Sequence, residues 1–178
     1  MDRDRRRPFV ASAIAVLIVG ASGCGGHAGP NPSERVPVAG LEEPARILID
    51  EWGVPHVYAN RLYDAFVAQG FAAARDRLWQ IDLWRRRGLG EMAKDLGPAY
   101  VEDDRLARSV LFRGSLDREW QAYGPDARRI AEAFVGGVNA YVTLTERRPE
   151  LLPEEFRILG YRPSRWDPAD IVRIRHQG

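Results

Sequence analysis

Two apolar runs at helical spacing constrain this chain more than any other feature of it. Val67, Phe71, Ala74, Leu78 and Ile81 follow one another at steps of 4, 3, 4 and 3, the stripe that one face of an α-helix presents. Ala127, Ile130, Ala131, Phe134, Val138, Tyr141 and Val142 make a second such face. Each run has helical punctuation. Asp64 stands where a cap belongs, and Gly88-Leu89-Gly90 should stop the first helix after Arg85-Arg86-Arg87, whose charge suits a helix C-terminus. Asp126 opens the second helix, which must end before Pro149. Between them a short helical stretch over Glu91–Leu96 closes at Gly97-Pro98, and residues 101–122 read as helical with a break near Gly114. Trp166-Asp167-Pro168-Ala169-Asp170 reads as a further helix start, with Asp167 as cap and Pro168 at the first helical position.

The helices are preceded by a different pattern. Arg46-Ile47-Leu48-Ile49 and Val54-Pro55-His56-Val57-Tyr58 flank Asp50-Glu51-Trp52-Gly53, which predicts a β-hairpin whose second strand lies at an edge or bulge because of Pro55. The expected fold is therefore mainly α with an N-terminal β-hairpin.

The first residues belong to neither pattern. Arg3, Arg5, Arg6 and Arg7 precede an apolar run from Phe9 to Val19, and Ala21-Ser22-Gly23 lead into Cys24. The run is shorter than the roughly 20 residues that span a bilayer as a helix, so residues 1–23 read as a signal peptide. Ala21-Ser22-Gly23-Cys24 resembles a bacterial lipobox, which makes Cys24 the lipidation site, although Ala21 stands where leucine is common. Arg6-Arg7-Pro8-Phe9-Val10 resembles a twin-arginine signal and leaves the choice of export route open. Residues 24–44, rich in glycine and proline, read as a flexible tether. The expected location is the periplasm or cell surface, held to the membrane by a lipid anchor.

Composition excludes several functions. The 178 residues carry a net charge of +1, and removing residues 1–23, with their four Arg and two Asp, turns it to −1. Nucleic-acid binding, which rests on phosphate neutralisation, is not expected. A single cysteine excludes an internal disulfide framework and a thiolate-rich zinc site. Lys94 is the only lysine, so arginine clusters carry less functional weight here.

No catalytic constellation stands out. His27 lies in the tether and His176 near the end, while His56 sits close to Asp50 and Glu51 and reads as a hydrogen-bonded structural histidine. Glu102-Asp103-Asp104 lacks the alternation of a calcium loop and reads as a solvated helix face. The Arg85–Arg87 run is explained by helix termination and pairing with Asp82. Trp79, Trp84, Trp120 and Trp166 read as core and capping residues. Gly136-Gly137 sits within an apolar helical stripe and indicates close helix packing rather than a phosphate loop.

The order of segments nevertheless resembles one known family. Ile49-Asp50-Glu51-Trp52-Gly53-Val54-Pro55-His56-Val57-Tyr58-Ala59 is similar to the opening strand pair of the penicillin amidase (penicillin acylase) family. Four later stretches are similar too: Asp64-Ala65-Phe66 with Ala68-Gln69-Gly70-Phe71; Ala74-Arg75-Asp76-Arg77-Leu78-Trp79-Gln80; Gly136, Val138-Asn139-Ala140-Tyr141; and Leu152-Pro153, Glu155-Phe156, Leu159-Gly160-Tyr161, Pro163 and Trp166. Met92 and Lys94 depart from the pattern. The resemblance implies an exported precursor of an N-terminal-nucleophile hydrolase, with a four-layer αββα fold of the α+β class in the whole enzyme. Residues 45–178 would be the N-terminal part of its small subunit.

The nucleophile that the resemblance implies is a serine exposed by self-cleavage at the head of a large subunit. Ser109, Ser115 and Ser164 lie in no such junction, so no catalytic residue is assigned in this chain. The implied partners are that large subunit, a small N-acyl amide of penicillin or acyl-homoserine-lactone type, and the membrane through the lipid anchor. No cofactor is implied here, whereas the whole enzyme would hold a structural calcium. A helical surface lipoprotein that binds a ligand without catalysis is the alternative reading.

Overall fold

A computed structural model describes residues 14–19 and 33–174. It is mainly α with a small sheet. The strands are β1 (Ile14–Val19), β2 (Ser33–Val38), β3 (Arg46–Ile49) and β4 (Pro55–Tyr58). The helices are α1 (Leu62–Leu89), α2 (Met92–Leu96), α3 (Val101–Val110), α4 (Leu116–Tyr123), α5 (Ala127–Arg147), α6 (Glu154–Leu159) and α7 (Ala169–Arg173).

The expected hairpin is β3–β4, antiparallel with Arg46 opposite Tyr58 and Ile47 opposite Val57. Its turn is built by Asp50, whose Oδ1 accepts the backbone N–H groups of Trp52 at 2.9 Å and Val54 at 2.8 Å. Gly53 supplies the positive φ of 80° that the turn requires. Pro55 is tolerated because it opens β4, the outer strand of a sheet ordered β2-β1-β3-β4. Within the stretch read as a tether, residues 33–38 instead form β2. Its prolines concealed an alternation that puts Val36 and Val38 into the core, 4% and 1% exposed. β1 lies within the expected leader, antiparallel to β2 and parallel to β3.

Both amphipathic runs are helical, and they pack on each other. Phe71, Ala74 and Leu78 of α1 are buried with Val138, Tyr141 and Val142 of α5, and the Phe71 and Tyr141 rings meet edge to face at 5.4 Å. Two glycines set the separation. A Cβ on Gly70 would run into the carbonyl of Phe134, and one on Gly137 into the carbonyl of Val67. The backbones are in contact at both points, as the Gly136-Gly137 pair led one to expect, although Gly136 itself faces open space. A second aromatic group, Trp79, Phe156 and Tyr161, has ring centroids 5.2–5.8 Å apart and joins α6 to the middle of α1.

Helix boundaries follow the punctuation with four differences, one being that α7 starts at Ala169 with Pro168 in the capping position rather than at the first helical one. α1 ends at Leu89 with Gly90 left-handed at φ 68°, but it starts at Leu62, and Asp64 does not cap it. Its carboxylate instead accepts the N–H groups of Glu42 at 2.8 Å and Glu43 at 2.9 Å. Arg77 leaves helical geometry at φ −141°, dividing α1 in two. Asp126 stands at the head of α5 without a side-chain capping bond and accepts the Tyr63 hydroxyl at 2.9 Å.

Gly137→Ala is expected to destabilise the fold by about 1–3 kcal/mol, since the new methyl meets unyielding backbone. Gly136→Ala, on the open side of the same helix, is expected to be neutral or to gain up to roughly 1 kcal/mol from helix propensity. Urea unfolding of the two variants separates these effects. Equal midpoints would show that α1 and α5 can part at no cost.

Candidate functional site

The densest polar cluster lies where the end of α1 meets α2, α7 and the loop before α7. Helical spacing puts Asp82 and Arg86 on one face, where the Arg86 Nε–H donates to Asp82 Oδ2 at 2.6 Å. Arg86 also pairs through Nη1 with Asp95 and donates through Nη2 to the Arg162 carbonyl. One position earlier, Arg85 turns toward α7, donating to Asp170 Oδ2 at 2.7 Å and to Ser164 Oγ at 2.9 Å. Asp82, Arg86 and Asp170 are all at most 3% exposed. The Arg86 guanidinium lies over the Tyr161 ring at 4.7 Å, and Arg85 over Trp166 at 5.6 Å.

Burial shapes the ionisation of this cluster. It raises the Asp82 carboxyl above the usual carboxylate range, and the hydrogen bond from Arg86 works against that shift. Burial would lower the Arg86 guanidinium, but the Asp82 hydrogen bond and the charges of Asp82 and Asp95 together outweigh it and hold the cation. The Tyr161 phenol is pushed up to about 12 by burial and by the Asp82 charge. Arg86 keeps its proton throughout, and Tyr161 keeps its own at neutral pH. The cluster binds segments of the chain together rather than moving protons.

A second clamp works beside it. Asn139 of α5 donates from Nδ2 to the Trp166 carbonyl at 2.9 Å and accepts the Trp166 N–H on Oδ1 at 2.8 Å. The amide thus satisfies one backbone residue as a neighbouring strand would. Next to the clamp, Ile81, Trp84, Arg85, Arg87, Gly88, Trp166 and Ile174 line an open groove of ≈ 660 Å³. Trp84 on its wall is 64% exposed, which corrects its reading as a core residue. Trp120 is buried at 8%, and Trp79 and Trp166 pack against the main core.

Other residues singled out by sequence take structural roles. His56 Nε2 lies 2.9 Å from Asp50 Oδ2, and that contact holds the Asp50 carboxyl below its ordinary range. Ser109 donates to the Leu106 carbonyl, Ser115 caps α4, and Ser164 receives Arg85. In the acidic run, Glu102 and Asp103 are exposed as expected, but Asp104 is 4% exposed. Its carboxylate accepts the N–H groups of Met92 at 2.9 Å and Ala93 at 2.8 Å, capping α2 from a distance. Arg86 pairs with Asp82 as expected, whereas Arg85 takes Asp170. Among the described residues no three His, Cys, Asp or Glu side chains gather as a metal set. Cys24, His27 and His176 lie outside the described residues.

Sequence reasoning missed the Arg85–Asp170 pair, the Asn139 clamp and the Asp104 cap. Asn139 carried a signal only as a lone amide flanking the apolar stripe of α5. Asp170→Ala is expected to cost about 3–5 kcal/mol, because Arg85 would stay buried without its counter-ion. The check is the shift in urea unfolding. A loss within 1 kcal/mol, the range of roughly exposed pairs, would show that Arg85 escapes to solvent.

The geometry can be set beside known proteins. The family model described as penicillin amidase matches residues 44–177. The chain is 39% identical over 145 residues to a penicillin acylase 2 proenzyme from a Pseudomonas species, covering 82% of this chain and 18% of that protein. It is 34% identical over 130 residues to penicillin G acylase of Escherichia coli, covering 72% and 15%. An acyl-homoserine lactone acylase of Pseudomonas aeruginosa is 32% identical over 145 residues, covering 82% and 17%. The chain therefore spans less than a fifth of these curated relatives. Among solved structures, a chain of the thermostable penicillin G acylase from Alcaligenes faecalis superposes with a TM-score of 0.67 at 37% identity, covering 73% of this chain and 69% of that one. The hairpin, the glycine-mediated crossing and the match over most of its length make this chain a member of the penicillin amidase family.

Proposed function

We propose that this chain is the N-terminal, small-subunit part of an exported amidohydrolase precursor that hydrolyses the linear amide bond of N-acyl compounds. The observation that carries the reading is the superposition on a penicillin G acylase chain only modestly longer than this one, while the full curated relatives are more than five times longer than the matched segment. A relative called a proenzyme supports a precursor. Names of both penicillin acylases and acyl-homoserine lactone acylases among the relatives keep the acyl donor at the level of N-acyl amides.

The chemistry belongs to the continuation of the chain. An N-terminal serine attacks the amide carbonyl, and its own α-amine, whose pKa of about 7.7–8.0 suits a general base, takes the proton. The α-ammonium returns that proton to the leaving amine as the C–N bond breaks, and water then hydrolyses the resulting serine ester to free the acid, with hydrogen-bond donors stabilising each oxyanion. This chain supplies no reacting group. The Arg85–Asp170 pair and the Asn139 clamp fix the 160–174 segment from which the polypeptide runs on toward the substrate pocket. Residues 1–23 act as export leader, Cys24 as lipid anchor, and the large subunit as the obligate partner.

Sequencing the reading frame beyond codon 178 tests this directly. It should continue for several hundred residues and contain a self-cleavage junction followed by Ser, Cys or Thr. A stop codon at that point would reject it in favour of a non-catalytic surface lipoprotein. Intact-mass measurement on membrane-extracted protein should show a chain starting at Cys24 with added acyl mass. The unmodified mass would exclude Cys24 as the anchor.

A further inference from the structure

We propose that the space between β2 and β3 is a receptor for an extended strand, held by residues 14–19 before processing and by a strand of the same precursor's catalytic portion afterward. The inference rests on the reading above, in which residues 1–23 leave on export and the polypeptide continues past Gly178.

β1 is an inner strand of the sheet. It pairs with β2 over six positions, from Ile14 opposite Val38 to Val19 opposite Ser33, and with β3 over three, from Leu17 opposite Arg46 to Val19 opposite Leu48. Its whole length falls inside the expected leader. Once it is gone, β2 and β3 face each other across two strand spacings, about 9–10 Å. That is too far for direct hydrogen bonding, and each edge is left with a row of unpaired backbone groups.

The two strands are not free to close the gap. Val36 and Val38 anchor β2 in the main core at 4% and 1% exposure, and Ile47 anchors β3 at 1%. Glu34 pairs with Arg148 beyond the end of α5. The connection between the strands is pinned as well: Leu41 and Ala45 are buried, and the N–H groups of Glu42 and Glu43 are held by Asp64, itself 1% exposed. Arg129 adds a 2.8 Å ion pair to Glu42. The Glu34–Arg148 pair and the Asp64 and Arg129 contacts on the 42–43 connection do not involve β1, and they hold the two strands in place from outside the slot.

The slot specifies its occupant. A strand of about six residues must run antiparallel to β2 and parallel to β3, and its backbone must supply both rows of hydrogen bonds. The segment matched in the curated relatives is under a fifth of their length, so the catalytic portion has ample chain to provide it. The leader strand then keeps two sheet edges from pairing with other chains until the permanent strand arrives.

A photo-reactive benzophenone amino acid replacing Arg35, an exposed residue in register with Leu17, tests this in the full precursor. Before export the adduct should map to the segment around Leu17. In the processed two-subunit protein that adduct should be lost and replaced by one to a single segment of the catalytic portion. An adduct to residues 46–49, to a second copy of this chain, or to no peptide would overturn the proposal, as would processed protein whose intact mass retains residues 1–23. Should the substitution impair folding, peptide-resolved amide exchange on unsubstituted processed protein gives the same answer: residues 34–38 are protected if the slot is filled and exchange freely if it is empty. A reading frame that stops at codon 178 would instead remove the functional reading itself, a result visible without any cross-link.

Discussion

The contact of α1 with α5, backbone against backbone at Gly70 and Gly137, is the constraint on which the rest of the molecule depends. It brings Phe71 and Leu78 within reach of Val138 and Val142, so the two apolar stripes cover one another. It also fixes where the ends of α1 fall relative to everything docked on them. The hairpin is joined to the first half of α1, while α2, α7 and the 160–166 loop gather on the last two turns. Were the helices a side-chain width further apart, the Phe71 and Tyr141 rings would part and Asn139 would be drawn away from the Trp166 backbone.

The charged residues divide into two populations that behave differently. On the surface, pairs such as Arg105 with Glu102 and Arg128 with Glu132 are more than half exposed in nearly every side chain and contribute little. In the interior, Arg85, Arg86, Asp82, Asp104, Asp170 and Asp64 each hold a fixed partner, and most bridge elements far apart in sequence. These buried groups give the helical layer its register, because an apolar surface alone would tolerate sliding. Nearly all the cations are arginine, whose planar fork can serve two or three acceptors at once, as Arg86 does.

Local reading of the chain found whatever local physics decides. The 3.6-residue period, the glycine at 90 and the proline at 55 predicted two long helices and a hairpin, and the structure has them. Gly136-Gly137 was legible as a packing feature because a glycine pair inside an apolar stripe has few other uses. What escaped was long-range. Asp64 looks like a cap from its neighbours, yet its partners are 21 and 22 residues upstream. Asp104 sits in an acidic run that predicts solvent, yet it serves amides 11 and 12 residues away. Trp84 suggests a core residue by its size and apolarity, but it stands one position off the stripe of α1 and lies in solvent. β2 was hidden by prolines that usually mark a linker. The family was legible because five ordered segments together say more than any one side chain does.

The pairing of Arg85 with Asp170 also sets a timetable. Asp170 is synthesised 85 residues after its partner, which at about 5–20 residues per second is a delay of roughly 4–17 s. Through that interval the end of α1 has no counter-ion from α7 and must keep Arg85 in water, so its last turns cannot settle into the interior. A nascent chain caught in that window is an amphipathic helix with one wet end, still accessible to whatever machinery handles unfolded polypeptides.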